Sequence, residues 1–167
     1  MYKYKILIKI TGSIAAYKAA YLVSKLVQNN FEVKVAMSNS AMKFIGAATF
    51  EGLTGHEVYS DLFESGKTMS HIDLMKWADL VIVVPASANT INKFAAGIGD
   101  NLITSLFLAK IPGKPYLIAP AMNKNMLAHP ATQQSIEKLK EWGIKLLPTE
   151  SGTLACGDEG EGKLLNP

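Results

Sequence analysis

The stretch KILIKITGSIAAYK, residues 5–18, predicts how the chain folds. Its start is mostly apolar and is typical of a buried strand, Gly12 lies in the turn that follows, and a helical apolar period runs over residues 13–28. The first N–H groups of a helix have no partner within it and carry the positive end of its dipole. A phosphate is therefore a natural ligand at this turn, although Ser13 serves equally well as a plain helix cap. Because Gly12 is the only glycine of the turn, the pattern is not a G-x-G-x-x-G fingerprint, and a mononucleotide phosphate fits better than NAD.

The same alternation of strand and helix continues along the chain. Further apolar runs rich in Ile, Val and Leu occupy residues 31–37, 79–85, 114–120 and 144–148, and a second clear helical period covers residues 129–143. This order predicts an α/β fold, a doubly wound Rossmann-like or flavodoxin-like parallel sheet with helices on both faces. Residues 56–61 can add one short strand. No internal repeat or shift of composition marks a boundary, so we expect one domain over residues 1–167.

Composition excludes several classes of protein. Of the 167 residues 49% are hydrophobic and 19% are charged, and no apolar run approaches the ~20 residues of a membrane span. The net charge is +3 and the lysines are scattered, which disfavours nucleic acid as a partner. One cysteine forms no disulfide framework, so we expect a soluble cytoplasmic protein without a membrane partner. No spacing of His, Cys and carboxylates resembles a metal site.

Small polar residues follow four of the predicted strands. In a doubly wound fold, ligands bind outside the carboxyl ends of the strands, so these residues are predicted to meet at one rim. They are Thr11–Ser13, Ser38–Ser40, the PASANT loop at residues 85–90, and Pro120–Asn123. Each loop can also be a simple turn with a helix cap. Their concentration at one rim favours a pocket.

Three side chains are candidates for chemistry. His71 can act as a base near neutral pH, or can be an incidental member of a helix-capping segment in which Ser70 and Asp73 form the hydrogen bonds. Asn123 can bind a carboxylate or amide through its NH₂ group, whereas Met122 and Met126 are more simply packing residues. Cys156 lies in GTLACGDEGEGK, residues 152–163, where its acidic neighbours keep a thiol protonated. It is either a proton donor or an inert surface cysteine.

Five segments together resemble the flavin-containing cysteine decarboxylases in their order and approximate separation. They are TGSIAAYK (11–18), SHIDL (70–74), PASANT (85–90), PAMNKNM (120–126) and ACGDEGEGK (155–163). The resemblance covers about residues 5–163 and implies an FMN cofactor. By this resemblance the FMN-binding residues are Gly12, Ser13, Ile14, Ser38, Ser87, Ala88, Asn89 and Thr90.

The resemblance also implies a reaction, the decarboxylation of 4′-phospho-N-pantothenoylcysteine to 4′-phosphopantetheine in coenzyme A biosynthesis. It assigns His71 as the active-site histidine, Asn123 as the group that holds the substrate carboxylate, and Cys156 as the acid that protonates the intermediate. Met126 and Ala155 complete the substrate contacts. The family motif P-x-M-N-x-x-M-W ends in tryptophan, where this chain has Leu127, which puts the exact substrate in doubt.

The family further implies a homotrimer, or a dodecamer built from trimers, with the site at a subunit interface. Residues 149–163 are expected to be a flexible flap over the substrate. A phosphopantothenate–cysteine ligase is an expected fused or separate partner, so the chain is a stand-alone decarboxylase or a piece of a longer protein. The alternatives are a peptidyl-cysteine decarboxylase of peptide antibiotic maturation, a flavin prenyltransferase, which the motifs fit less well, and a non-catalytic regulatory flavoprotein.

Overall fold

Five parallel strands form the central sheet of the protein. The structure is a computed structural model that describes residues 2–62, 71–155 and 157–167. The strands of the sheet are β1 (Lys5–Ile10), β2 (Glu32–Met37), β3 (Leu80–Ala86), β4 (Tyr116–Pro120) and β5 (Lys145–Leu146). Their order across the sheet is β2-β1-β3-β4-β5, and every neighbouring pair is parallel. The predicted doubly wound α/β class is therefore confirmed.

Helices connect the strands. Within the described residues they are α1 (Ala16–Gln28), α2 (Ala47–Thr54), α3 (His71–Trp77), α4 (Ala88–Ala96), α5 (Leu102–Leu108), α6 (Lys124–Ala128) and α7 (Pro130–Glu141), with one 3₁₀ turn at Ala41–Lys43. None of these helices has both the length and the apolar character needed to cross a membrane. α7 begins with Pro130 at its first position and is followed by Gly143 at φ 77°, as expected for a helix start and stop.

Two apolar layers cover the two faces of the sheet. Alternate residues of β1 point into different layers, with Leu7 in one and Ile6 and Ile8 in the other. The first layer contains residues of α3, α4, α5 and α7, and the second contains residues of α1 and α2. Because both faces are covered, the strands are apolar almost throughout, which is the pattern that the sequence shows.

The structure corrects some predicted boundaries. α1 begins at Ala16, three residues after the predicted start, because residues 13–15 form the turn at the rim. The strand predicted at 144–148 is reduced to β5, since Pro148 has no N–H group with which to continue the ladder. The strand expected at 56–61 is a single bridge between Tyr59 and Ala36.

The glycine-rich tail has regular structure. Strands β6 (Glu150–Thr153) and β7 (Glu159–Lys163) pair as an antiparallel hairpin, separate from the main sheet. This hairpin covers most of residues 149–163, the segment predicted to be a flexible flap. The flexibility of the segment stays a prediction.

Candidate functional site

The strand order places two loops side by side at the carboxyl edge of the sheet. β1 lies between β2 and β3 in the sheet. The chain runs from β1 to β2 on one side and then crosses to β3 on the other side, and a crevice opens where these connections diverge. Thr11 joins the two loops: its hydroxyl donates to the Pro85 carbonyl at 2.7 Å and accepts from the Ser87 N–H at 2.9 Å. Thr11 is buried, so it fixes the end of β1 against the PASANT loop from beneath.

The loops after β1 and β2 also approach closely. A Cβ atom added to Gly12 would lie 2.6 Å from Cβ of Ser40, which is closer than atoms of this kind pack. Gly12 is therefore required by close approach and not only by a turn. In the loop after β2, the Ser38 hydroxyl accepts from the N–H of Ala41, the first residue of the short 3₁₀ turn, at 3.1 Å.

The turn before α1 leaves backbone donors at the rim. The Ser13 hydroxyl accepts from the Ala15 N–H at 3.2 Å, although Ser13 is not the capping residue of α1 itself. The N–H groups of Gly12, Ser13 and Ile14 donate to none of the residues that the structure describes. Unpaired N–H groups before a helix can bind an anionic oxygen.

A polar pocket of about 700 Å³ opens between these loops and α4. Its polar lining consists of Ser38, Asn39, Ser40, Ser60, Asp61, Ser87, Asn89, Thr90, Lys93, Asp100 and Asn101. The Ser87 hydroxyl accepts from the Thr90 N–H at 3.3 Å and caps α4, which orients the PASANT loop. At the far wall Lys93 pairs with Asp100 at 2.5 Å, and this hydrogen bond lowers the pKa of the Asp100 carboxyl.

A more apolar pocket of about 450 Å³ adjoins the polar one. Gly12, Ser87 and Met126 line both pockets, so the two are parts of one crevice. The apolar part is also lined by Ser13, Ile14, Ala88, Asn123 and Ala155. Ile14 is 60% exposed and Met126 is 49% exposed, so both expose apolar surface at the pocket instead of packing into the core.

The β6–β7 hairpin borders the apolar pocket because its glycines permit close contact. The Met122 N–H donates to the Gly162 carbonyl at 2.9 Å, and a Cβ atom on Gly162 would lie 2.1 Å from the Met122 carbonyl oxygen. On the neighbouring glycine, Gly160, an added Cβ would lie 3.0 Å from Cδ of Lys124. The glycines of EGEGK therefore let the hairpin backbone rest on the loop that carries Asn123.

Asn123 links that loop to the hairpin. Its side-chain oxygen accepts from the Asn125 N–H at 2.8 Å and caps α6, which fixes the orientation of the amide. Its NH₂ group donates to the Asp158 carboxylate at 3.3 Å. The amide therefore has an oxygen engaged in a cap and a nitrogen that binds a carboxylate of the protein itself.

The structure brings most of the predicted site residues together. Every predicted FMN-binding residue, and also Asn123, Met126 and Ala155, lines one or both parts of the crevice. His71 is the first residue of α3, is half-buried, and lines neither part as formed by the described residues. Cys156 lies outside the described residues. The functional role of each residue stays a prediction.

Sequence reasoning did not assign some of the residues that shape the crevice. Lys93, Asp100 and Asp158 were absent from the predicted site, and Thr11 was predicted at the rim without a role of its own. Thr11 and Asp158 belong to motifs that were recognised, so their positions beside Gly12 and Cys156 were available signals. The Lys93–Asp100 pair carries no sequence signal, because Lys93 belongs to α4 and Asp100 precedes α5.

Fold and site together define a class of protein: a doubly wound α/β protein with a crevice at its switch point that is polar at one end and apolar at the other. A family model described as Flavoprotein matches residues 1–167. The chain belongs to the flavoprotein family, and the predicted resemblance is confirmed.

Two named relatives are similar to the chain over nearly its whole length. The chain is 46% identical over 164 residues to the coenzyme A biosynthesis bifunctional protein CoaBC of Bacillus subtilis, covering 97% of this chain and 40% of that protein. It is 44% identical over 162 residues to a probable phosphopantothenoylcysteine decarboxylase of Streptococcus mutans, covering 96% of this chain and 90% of that one. The chain thus spans about two fifths of the bifunctional relative and most of the shorter one.

Solved structures share the fold. A cysteine-to-serine variant of a PPC decarboxylase, complexed with pantothenoylaminoethenethiol, superposes with a TM-score of 0.84 at 32% identity, covering 98% of this chain and 91% of that one. The FMN binding protein AtHal3 superposes with a TM-score of 0.82 at 33% identity, covering 98% and 90%.

Proposed function

We propose that this protein binds FMN and decarboxylates 4′-phosphopantothenoylcysteine to 4′-phosphopantetheine, a reaction of coenzyme A biosynthesis. The observation that carries the proposal is the two-part crevice, whose lining combines the PASANT loop with Asn123. Membership of the flavoprotein family, and the printed names of the relatives from Bacillus subtilis and Streptococcus mutans, support it.

The crevice fits the parts of FMN. Hydroxyl and amide groups of the polar part, from Ser38, Asn89 and Thr90, suit a ribityl chain, and the N–H groups at Gly12 and Ser13 suit a phosphate. The apolar part, with Ile14 and Ala88, suits a flat ring system. FMN, when bound, supplies an acceptor that can take two electrons from the substrate and return them.

The proposed roles of the protein side chains follow from the chemistry of the substrate. Two electrons and two protons leave the cysteinyl C–S unit to give a thioaldehyde, and the bond to the carboxylate breaks as CO₂ leaves. The same two electrons and two protons then return, together with one further proton from solvent that replaces the lost CO₂. We assign the thiol proton to His71, the carboxylate to the NH₂ group of Asn123, and the returning proton to Cys156. A neutral thiol suits the last role because it has a proton to donate.

We also propose the surroundings of this site. The hairpin that borders the apolar part would cover bound substrate and exclude water from the enethiolate left by CO₂ loss. The exposed apolar side chains of Ile14 and Met126 suit contact with a neighbouring copy, in line with the expected trimer.

The test incubates the FMN-loaded protein with phosphopantothenoylcysteine and measures CO₂ and phosphopantetheine. Both products are expected in equal amounts. A colourless preparation that does not take up FMN would contradict the proposal, and turnover only with peptides ending in cysteine would move the assignment to peptide maturation.

Three variants test the assigned roles in the same assay. Cys156→Ser is expected to release CO₂ once and then stop with the flavin reduced. His71→Asn is expected to lose about 10²–10⁴-fold in CO₂ release, the usual contribution of a general acid or base. His56→Asn is the matched control, because no role in the reaction is assigned to His56. It belongs to the segment between α2 and α3, and its Nε2 lies 4.0 Å from Oε1 of Glu32. Normal turnover of the Cys156 or His71 variant would refute the corresponding role.

A further inference from the structure

Asp158 is an acidic side chain that the structure joins to a proposed substrate-binding group, Asn123. Its carboxylate accepts from the NH₂ group of Asn123 at 3.3 Å. Asp158 is half-buried, and it forms no ion pair with any other residue that the structure describes. The contact is therefore a carboxylate held by an amide, and no cationic side chain among the described residues pairs with it.

The backbone on both sides fixes this contact. The Leu154 N–H donates to the Asp158 carbonyl at 2.8 Å, and the Gly157 N–H donates to the Leu154 carbonyl at 2.9 Å, which closes the end of the hairpin. On the other side the oxygen of Asn123 is engaged by the Asn125 N–H. The NH₂ group therefore points to the hairpin because the cap holds the other end of the amide.

A substrate carboxylate and the Asp158 carboxylate would both bind the NH₂ group of Asn123, whose two N–H bonds lie on one nitrogen. Both are anions, so neither is stabilised by the presence of the other, and they repel at short range. After CO₂ loss the product has no carboxylate, and Asp158 can hold the amide without competition. The contact thus discriminates between a ligand before and after decarboxylation.

We propose that Asp158 is a specificity-determining residue, which competes with the substrate carboxylate for the NH₂ group of Asn123 and so favours release of the carboxylate over its retention. The inference rests on the proposed function, because it needs Asn123 to be the carboxylate-binding group. It predicts that Asp158 weakens the binding of a carboxylate ligand and leaves the binding of its decarboxylated counterpart unchanged.

The experiment uses two unreactive ligands that differ only in the carboxylate. These are 4′-phosphopantothenoylserine and 4′-phosphopantothenoylethanolamine, in which a hydroxyl replaces the thiol. Their Kd values are measured by calorimetry on FMN-loaded parent, Asp158→Ala and Asp158→Asn proteins. Asp158→Ala is expected to bind the serine compound about tenfold more tightly, the size of one hydrogen bond to a charged group, with no change for the ethanolamine compound. Asp158→Asn keeps an acceptor oxygen without the charge, so its gain is expected to be smaller.

Glu161→Ala is the matched control, since it removes the same charge from an exposed position on β7. It is expected to leave the ratio of the two Kd values unchanged. Equal changes for both ligands in the Asp158 variants would show a structural role of the hairpin, and unchanged or weaker binding of the serine compound would also overturn the inference. CO₂ release by the parent is measured beside these titrations: its absence contradicts the proposed function, whereas turnover with an unchanged ratio contradicts only the role of Asp158.

Discussion

Lys9 is a charged residue type in the middle of a buried strand. Its Nζ donates to the Tyr116 hydroxyl at 2.6 Å and lies 4.8 Å from the centre of the Phe94 ring. Both partners of the hydrogen bond are fully or almost fully buried. Burial lowers the pKa of Lys9 well below its usual value and raises the pKa of Tyr116 well above its usual value, because each charged form would lose its hydration. A neutral amine bonded to a neutral phenol is the state that burial favours.

This pair predicts a pH-dependent stability. Between the lowered pKa of Lys9 in the folded chain and the ordinary pKa of lysine, only the unfolded chain carries a proton at Lys9. The free energy of unfolding therefore rises with pH across that window. The slope approaches about 1.4 kcal/mol per pH unit for one proton. Above pH ~10 the raised pKa of Tyr116 reverses the trend, because the unfolded tyrosine then loses its proton first.

Urea unfolding at pH 7 and pH 9.5 measures the effect in the parent and in three variants. Tyr116→Phe leaves the amine without its partner and is expected to cost about 1–3 kcal/mol. Lys9→Met leaves the tyrosine hydroxyl without its partner, whereas Lys9→Met combined with Tyr116→Phe removes both polar groups. The double variant is expected to be at least as stable as the parent at pH 7 and to lose the pH slope. A double variant that keeps the parent's slope would contradict this account of Lys9.

The β6–β7 hairpin shows how one element docks on another through its glycines. From the sequence, the glycines of residues 152–163 indicated a flexible segment. In the structure Gly162 is buried against Met122. The other glycine of the G-x-G pattern, Gly160, lies against the side chain of Lys124. Close approach of two backbones is thus one reason for the glycine pattern.

Gly162→Ala is expected to weaken the docking of the hairpin. Its Cβ would lie 2.1 Å from the Met122 carbonyl oxygen, and because that atom is backbone it cannot rotate away. Gly152→Ala is the matched control: it also has a positive φ, of 154°, but its Cβ would meet only the flexible side chain of Lys163 at 3.7 Å. Hydrogen–deuterium exchange of residues 150–163 should accelerate more in Gly162→Ala than in Gly152→Ala, with the central sheet unchanged. Equal exchange in the two variants would mean that the backbone contact contributes little.

The crevice belongs to the whole molecule, because loops from four strands and the hairpin enclose it. A ligand that binds this crevice binds only the folded chain. Its binding free energy therefore adds to the stability of the entire protein. Gly12 lines both parts of the crevice, so a substitution at Gly12 affects both parts together.

FMN is expected to raise the stability of the protein in a concentration-dependent way. At a free concentration a hundredfold above its Kd, the gain is about 2.7 kcal/mol. Gly12→Ala should give a smaller gain at the same concentration, because its Cβ would force Ser40 out of place at the polar part. Gly46→Ala is the control, since nothing lies within 4 Å of its added Cβ. Thermal unfolding over a series of FMN concentrations measures both, and an equal gain in Gly12→Ala and the parent would argue against FMN at this crevice.

The sequence alone determined the fold class and most of the residues at the rim. Local features carry that information: the apolar runs of the strands, the helical period after residue 13, and the small polar residues at the strand ends. Strand boundaries were also close, with β2 and β3 each beginning one residue after its predicted start. Parallel strands end at one edge, so the rim could be located without knowing the order of the strands.

Only the tertiary structure decided which side chains meet. Lys9 and Tyr116 are 107 positions apart, and Asn123 and Asp158 are 35 positions apart, so no local pattern joins either pair. The sequence placed Asn123 at the rim and an acidic, glycine-rich segment near the C-terminus, but the distance between them depends on how closely the backbone of β7 can rest on the loop after β4. That distance is set by the missing Cβ of Gly162 and by the cap that orients the Asn123 amide, and both are properties of packing in three dimensions.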